Sequence, residues 1–313
     1  MVGAGIAGVA CAVQLARAGV DVRVLERSGG PGGRMASPRL GDRPVDIGAA
    51  YFTARDPEFA EVVARWQAAG LVRPWTAEPA VLADGTRDAS PGPVRFAAPG
   101  GLSSLVADLA TGLAVEPGRE VRRVGPGPVV DGEQADAVVL AMPDPQAQRL
   151  LDPATEAAAQ VAGRKWRPVI AVVAAWERRE WARLPFAFVN DHPVLTLVAD
   201  DGDRRGDDAP VLVAHTPSAV AGAHAADPEG AVGPVLDALR DLLGITSGPA
   251  WAAAHYWPCA SPAADRDRPF HLGADRIAMA GDGWGSPRIE TAWRSGTLLG
   301  RALIDTRKGC PTH

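Results

Sequence analysis

The sequence predicts an α/β protein: a parallel-sheet, nucleotide-binding domain that carries a second domain of the α+β type, built on an antiparallel sheet. Three observations lead there. The chain opens on Gly3-Ala4-Gly5-Ile6-Ala7-Gly8, a G-x-G-x-x-G run that passes into a helix pattern and then an alternating strand ending on Glu26. Residues 135–142 form an apolar run broken only by Asp136, the sign of a strand buried on both faces. Residues 151–265 hold several strand-like segments, a helix and several tryptophans, with no second glycine fingerprint.

The first unit has the spacing of a β-α-β nucleotide site. Gly3 makes the turn out of the first strand, Gly5 lets the backbone approach a pyrophosphate, and Gly8 lets the helix pack on the strand. The helix start, with Ile6 and Ala7, offers free N–H groups and a positive dipole end to phosphates. Glu26 stands where a carboxylate can take both ribose hydroxyls. In a chain with 35 glycines this motif alone is weak. Here the helical periodicity of Ala7–Ala18, the stop at Gly19 and the acid after the next strand all agree with it. A second glycine-rich loop, Ser28–Ser37, follows Glu26 and Arg27 and contains Gly32-Gly33-Arg34-Met35. NAD enzymes need no loop there. In the two-dinucleotide-binding flavoproteins a G-G-R at this place wraps the FAD pyrophosphate, and the arginine supplies charge. The sequence resembles that group, which includes amine oxidases, protoporphyrinogen oxidase and renalase. The resemblance implies a Rossmann-like, glutathione-reductase/PHBH-like fold holding FAD.

Length and composition bound the rest. A chain of 313 residues suits two domains. Its hydrophobic content of 47% and charged content of 22% are those of a soluble globular protein. A net charge of −5 argues against a nucleic-acid surface. No apolar run approaches the ~20 residues of a membrane span. Cys11, Cys259 and Cys310 show neither metal-ligand nor disulfide spacing, so no metal site is expected and a cytoplasmic location is. Only Met1 and Val2 precede Gly3, whereas a strand runs about 5–6 residues. A natural start upstream, with a longer chain more stable and better at holding FAD, is the expectation.

In chain order, Pro44–Thr53 is expected to leave the arginine loop as a strand. Its small residues Gly48, Ala49 and Ala50, with Tyr51, suit close passage beside a flat ring. Here G-P-G-G-R-M-A-S and D-I-G-A-A-Y-F-T-A-R-D-P-E-F resemble the bacterial renalase-like branch. Residues 57–69 read as an amphipathic helix, and 71–98 as short strands with turns. Gly100-Gly101 precedes a helix to Thr111. Residues 114–130 read as two strands, and the resemblance implies that Val121 contacts the adenine. After the buried strand, a helix over 154–162 precedes strands at 169–175, 186–189, 194–199 and 211–215. Asp200–Asp208 reads as a solvated loop, because no EF-hand glutamate follows it. A helix over 230–243 and a strand over 250–257 complete the second region. Last, a buried strand runs into Gly281-Asp282 and a helix from about Ile289. Asp282 is placed to hold a ribityl hydroxyl or to order water, and the helix N-terminus can face the flavin N1/C2 oxygen. G-D-x-x-x-x-P-R-I-E, with Arg288, Ile289 and Glu290, resembles the C-terminal renalase-like signature. The expected division is 1–55, 99–150 and 268–313 for the FAD domain, and 56–98 and 151–267 for the substrate domain.

A bound flavin carries the reaction, so no acid–base triad is required and no catalytic residue is assigned. Trp284, His255, Tyr256 and Phe96 are the candidates for an aromatic pocket wall. His192, His215, His224, His271 and His313 read as surface or structural. Resemblance to renalase implies oxidation of the 2- and 6-dihydro isomers of NAD(P)H to NAD(P)+, with hydride passing to flavin N5 and O2 reoxidising the flavin to give H2O2. The partners implied are a small-molecule substrate and O2, with no nucleic acid or membrane; oligomeric state is not legible. The FAD is expected to be non-covalent, since the context of Cys259 resembles no attachment motif. A flavin amine oxidase or other small-molecule dehydrogenase remains open, although Lys165 is the one mid-chain lysine. So does a non-catalytic FAD-binding or redox-sensing protein. An NAD(P)H reductase would show a second glycine fingerprint.

Overall fold

The computed structural model describes residues 1–83 and 86–308. Cys310 and His313 lie outside the described residues. The parallel sheet is assembled from two pairs, Ala114–Pro117 with Arg23–Glu26 and Val138–Leu140 with Ile277–Met279. Val2 joins them by bridging in parallel to both Leu25 and Leu140. Its N–H donates to the Val139 oxygen and its oxygen accepts from Ala141. His271–Leu272 adds an antiparallel edge. Side chains alternate across this sheet. Val24, Val139 and Ala278 enter one core with the helices Ile6–Arg17 and Leu102–Leu109. Leu25, Leu140, Ile277 and Met279 enter another with Ala147 and Val161. Helix Pro57–Ala68, capped by the Asp56 carboxylate, buries Phe59, Val62, Val63 and Trp66 in the first core. The long helix Ile289–Lys308 lies so close to Ile6–Arg17 that a Cβ on Gly296 would fall 1.9 Å from the Ala7 oxygen.

The second sheet has seven strands in the order Trp251–Pro262, Trp166–Ala175, Val211–His215, Leu197–Asp200, Phe186–Val189, Ala80–Ala83 and Thr86–Ala89. Neighbours are antiparallel except Phe186–Val189 with Ala80–Ala83. Helix Val232–Leu243 buries Val235, Ala238 and Leu239 against one face, beside Val172, Ala174 and Leu212. The other face presents Ala171, Val173, Val211 and Val213 to Val45 and Ile47. That second face therefore looks at the segment following the arginine loop.

Two local expectations are corrected. Pro44–Thr53 does not form a strand. It follows the arginine loop through single bonds, from Ile47 N–H to the Ala36 oxygen and from Ala49 N–H to the Arg34 oxygen. The two segments lie close: a Cβ on Gly48 would sit 2.0 Å from the Arg34 oxygen. The second correction concerns Asp200–Asp208. Asp201–Arg205 is a helix capped by the Asp200 carboxylate, and Asp201 and Arg204 are 0% exposed. The charges survive burial because they neutralise one another and bind backbone.

Candidate functional site

A cleft of about 1420 Å³ runs between the two sheets. Its nucleotide end is built by the two glycine loops lying against each other, with Gly5 bridged to Gly32. Gly3, Gly5, Ile6, Ala7, Glu26, Arg27, Gly32, Gly33, Arg34, Met35 and Val121 all line it. The first turn of helix Ile6–Arg17 carries no acid, so its dipole end is uncompensated toward the cleft. A Cβ added to Gly5 would meet nothing within 4 Å. A pocket of backbone N–H groups with an open groove at its centre is what a pyrophosphate needs. Gly8 stands behind this surface. Its Cβ would fall 2.1 Å from the Gly3 oxygen, so it serves the close helix–strand contact. Glu26 is held in place by Ala4 N–H at 2.7 Å on Oε2, and by Ser28 N–H and hydroxyl, each at 2.7 Å, on Oε1. A carboxylate accepts about four hydrogen bonds, so capacity for a ribose hydroxyl remains.

Further along, Gly48, Ala49, Ala50, Tyr51, Gly281 and Asp282 line the cleft. Arg34 is paired with Asp282 through both guanidinium ends, one of them at 2.8 Å. It also donates to the Ala260 oxygen at 3.1 Å and lies 4.9 Å from the Trp166 ring centre. Its charge is thus engaged by a carboxylate, where the sequence suggested a free charge for phosphate. Arg288 and Ile289 bring the start of the second long helix to the cleft. Glu290, though next in sequence, turns away. It is buried and accepts from the N–H groups of Arg55 at 2.5 Å and Asp56 at 2.6 Å.

Beyond these residues the cleft opens onto the antiparallel sheet. His255 lines it, but the structure does not bring the other three aromatic candidates there. Tyr256 is one residue out of phase with His255, so it faces the opposite side, toward the helix-covered core. Phe96 stacks on Phe52 at 5.5 Å and joins the nucleotide-domain core. Trp284 is buried beneath Arg266, whose guanidinium lies 3.9 Å from its ring centre. The short 3-10 turn Asp282–Trp284 sends Asp282 to the cleft and Trp284 to the core. In their place stand residues the sequence did not single out: Val169, Leu197, His215, Trp257 and Arg95. Trp257 donates its indole N–H to the Ile47 oxygen at 2.8 Å, tying the second sheet to the segment that follows the arginine loop. Tyr51 stacks on Phe186 at 4.8 Å, with the Arg95 guanidinium 5.9 Å from its ring, and burial pushes its phenol up.

His215 is the notable omission. Nothing distinguished it from His192, His224, His271 and His313, and only strand periodicity carried forward from Val211 could have placed it on the cleft face. Burial first, and Arg204 second, hold its imidazole down at about 4. The ring is therefore neutral when the unfolded chain, at 6.5, begins to take up a proton. Stability from this group is complete above pH 6.5 and is lost as pH falls from 6.5 toward 4, by at most about 3 kcal/mol. His215→Gln is expected to flatten that slope in urea denaturation between those pH values. A slope unchanged from wild type would show that His215 does not carry it.

Charge is unevenly spread over the lining. Among the described residues the carboxylates there are Glu26, Glu120 and Asp282, and Asp282 is paired with Arg34. Around Tyr51 and the sheet wall the charged groups are arginines, among them Arg55, Arg95 and Arg288. Among the described residues no group of three or more histidine, cysteine or acidic side chains could hold a metal ion. Among them, too, no helix is long and apolar enough to cross a membrane.

Residues 1–66 match the NAD(P)-binding Rossmann-like domain family. Residues 66–304 match the family described as flavin containing amine oxidoreductase. Over 55 residues the chain is 44% identical to hydroxyneurosporene desaturase of Rubrivivax gelatinosus, a stretch covering 18% of this chain and 10% of that protein. The chain thus matches about a tenth of that relative's length. A candidate protoporphyrinogen oxidase of Exiguobacterium sp. 255-15 superposes with a TM-score of 0.75 at 14% identity, over 97% of this chain and 98% of that one. Cyclohexylamine oxidase of Brevibacterium oxydans IH-35A superposes with a TM-score of 0.73 at 16% identity, over 98% of both chains. At these identities the likeness to the two solved structures is one of fold.

Proposed function

The chain belongs to the flavin-containing amine oxidoreductases, FAD-dependent enzymes, and on that premise we propose that it oxidises the 2- and 6-dihydro isomers of NAD(P)H to NAD(P)+. FAD, when bound, supplies the acceptor for the substrate hydride, and O2 takes the electron pair with two protons as H2O2. The observation that carries this reading is the charge at the substrate end of the cleft. Arginines and aromatic rings stand there, and every lining carboxylate belongs to the nucleotide domain. Such a wall suits a flat substrate bearing phosphates. Among the described residues it offers no carboxylate to a cationic amine.

The chain's own residues have separate tasks in this reading. Gly3, Gly5, Ile6, Ala7 and Gly33 present backbone to the FAD pyrophosphate, and Glu26 takes a ribose hydroxyl. Val121 meets the adenine edge. Asp282, fixed by Arg34, orders the ribityl end, and the N-terminus of Ile289–Lys308 faces the flavin ring. Ala49, Ala50 and Tyr51 border the ring, while Arg95 and Arg288 attract anionic substrate. The FAD domain comprises 1–55, 99–150 and 268–313, and the substrate domain 56–98 and 151–267. A cytoplasmic location accompanies this reading. The second reading, an amine oxidase, is supported by the family and asks for a carboxylate, which the described residues of the wall around Tyr51 lack.

The test is an anaerobic visible spectrum of the FAD-loaded protein. Isomerised NAD(P)H is expected to bleach the flavin bands within the mixing time, and O2 to restore them. Rapid bleaching by amines, with none by the isomers, would establish the second reading. A related expectation concerns attachment. Burial pushes the Cys259 thiol up, away from the reactive thiolate. Acid precipitation should therefore leave the yellow colour in the supernatant; colour in the pellet would overturn non-covalent binding.

A further inference from the structure

We propose that Arg95 and Tyr51 form an oxyanion-binding subsite that fixes the substrate by a carboxylate or phosphate group, a step that rests on the reading of this wall as the substrate end of the cleft. Three arginines are buried among the described residues: Arg95, Arg204 and Arg205. Arg204 and Arg205 each meet Asp46 and Asp201. Arg95 is 7% exposed and pairs with no carboxylate among the described residues. The rings of Tyr51 and Phe186, centred 5.9 and 6.0 Å away, stabilise the cation in part but carry no formal charge. A buried charge is costly until an opposite charge meets it. Arg95 also lines the cleft, so the anion it lacks can arrive from there.

Local structure holds the guanidinium in place. Arg95 opens the short strand Arg95–Ala97 and stands opposite Thr76 of its neighbour. Its Nη1 donates to the Ala77 oxygen at 2.9 Å and to the Pro93 oxygen at 3.1 Å. Gly92 packs against the guanidinium end, where a Cβ would lie 3.2 Å from both Nη1 and Nη2. One nitrogen is thus spent on backbone, which anchors the side chain. Nε is buried with no partner; Nη2 has none either among the described residues, and it is not sealed off. Nη2 is therefore the nitrogen that can reach a group in the cleft. Tyr51 stands beside it, stacked on Phe186 at 4.8 Å and lining the cleft. Burial pushes its phenol up, while Arg95 and then Arg288 pull against that shift, so both guanidiniums lie near the hydroxyl. The hydroxyl keeps its proton and can donate. A guanidinium N–H beside a phenol O–H suits an oxyanion, because both donate and the negative charge strengthens both bonds. An ammonium is repelled, and a neutral amide forgoes the charge. Arg55 and Arg288 are exposed in the same lining and add a diffuse positive field.

Calorimetric titration of the FAD-loaded protein with benzoate, phenyl phosphate and the neutral benzamide tests the subsite. At least one of the two anions is expected to bind about tenfold more tightly than benzamide. Arg95→Met should lose that preference. Arg95→Lys, which keeps the charge without the planar fork, should retain part of it. Tyr51→Phe should lose about threefold of it, and Arg288→Gln, which removes an exposed cation, less than about twofold. FAD content and the melting curve check that each variant is folded; if Arg95→Met is not, Arg95→Lys must itself lose about threefold. Tighter binding of phenyl phosphate than of benzoate assigns the subsite to a phosphate, and the reverse order to a carboxylate. The subsite is overturned if benzamide binds as tightly as both anions, or if neither anion binds. It is overturned equally by an undiminished preference in Arg95→Met or Tyr51→Phe, or by a loss in Arg288→Gln as large as that in Arg95→Met. The dihydro isomers of NAD(P)H give a separate readout. If they leave the flavin oxidised while anions still bind through Arg95, the dinucleotide reading falls and the subsite stands. If they bleach the flavin of wild type and Arg95→Met at the same concentrations, the subsite falls and the dinucleotide reading stands.

Discussion

Arg204→Leu is expected to lower the stability of the protein by about 3–5 kcal/mol, the effect of stripping one partner from a buried ion pair. Arg204 is the largest fully buried side chain among the described residues. Its guanidinium donates to the Asp201 carboxylate, to the Ala50 oxygen at 3.3 Å and to the Asp46 oxygen at 3.2 Å. It also lies 3.5 Å from the Asp46 carboxylate. Arg205 meets the same two acids at 2.9 and 3.4 Å and donates to the Pro99 oxygen. Asp46 in turn accepts from Leu102 N–H at 2.8 Å and from the Ser37 hydroxyl. One cluster thus ties helix Asp201–Arg205 to the arginine loop, to the segment that follows it and to the start of helix Leu102–Leu109. Leucine in place of Arg204 would leave two carboxylates short of a cation and two backbone oxygens without donors, all out of reach of water. Urea denaturation of the FAD-free protein reads the loss directly, and a change below about 1 kcal/mol would show that the cluster repairs itself. The pH dependence has a definite sign. Burial alone would push the Asp201 carboxyl up, but Arg204, Arg205 and Arg43 together hold it below its usual 3.8. Its contribution is present above that value and is lost as pH falls through the lower, folded one. Arg204→Leu should therefore show a weaker loss of stability on acidification below about pH 4.

This cluster also marks where the sequence stops being legible. Nine residues rich in aspartate and arginine look like a solvated loop, because charge is costly to bury and composition says nothing about pairing. What buries Asp200–Arg205 is the arrival of Asp46, Ala50 and Pro99 from far along the chain. The nucleotide half was legible for the opposite reason. Gly3, Gly5, Gly8 and Glu26 are close in sequence, and their spacing alone fixes the turn, the groove and the acid. The substrate wall is assembled by register across four strands. His215 and His255 stand in one row on either side of Ala171 only because those strands pair as they do. Trp284 shows a finer limit: it is two residues from Asp282, yet one tight turn sends Asp282 to the cleft and Trp284 into the core.

Gly5→Ala is expected to leave the FAD-free protein as stable as wild type and to weaken FAD binding about 100-fold, the factor that about 2.7 kcal/mol carries. The backbone of Gly5 is extended, with φ of −71° and ψ of 170°, a conformation alanine adopts without strain. Its added methyl would meet no protein atom within 4 Å. Any loss must then arise from the ligand whose phosphates need that space. Gly48→Ala is the instructive contrast. There the methyl would lie 2.0 Å from the Arg34 oxygen, so the loop must move whether FAD is present or absent. Melting curves of both variants without FAD, and FAD titrations followed by flavin fluorescence, separate the two kinds of glycine. Gly48→Ala should lose both stability and FAD, and Gly5→Ala FAD alone. If Gly5→Ala binds FAD like wild type, the pyrophosphate does not cross Gly5, and the open groove at the head of Ile6–Arg17 has some other occupant. If it is destabilised without FAD, the groove is narrower than the distances show, and the same variant cannot then be used to locate the phosphates.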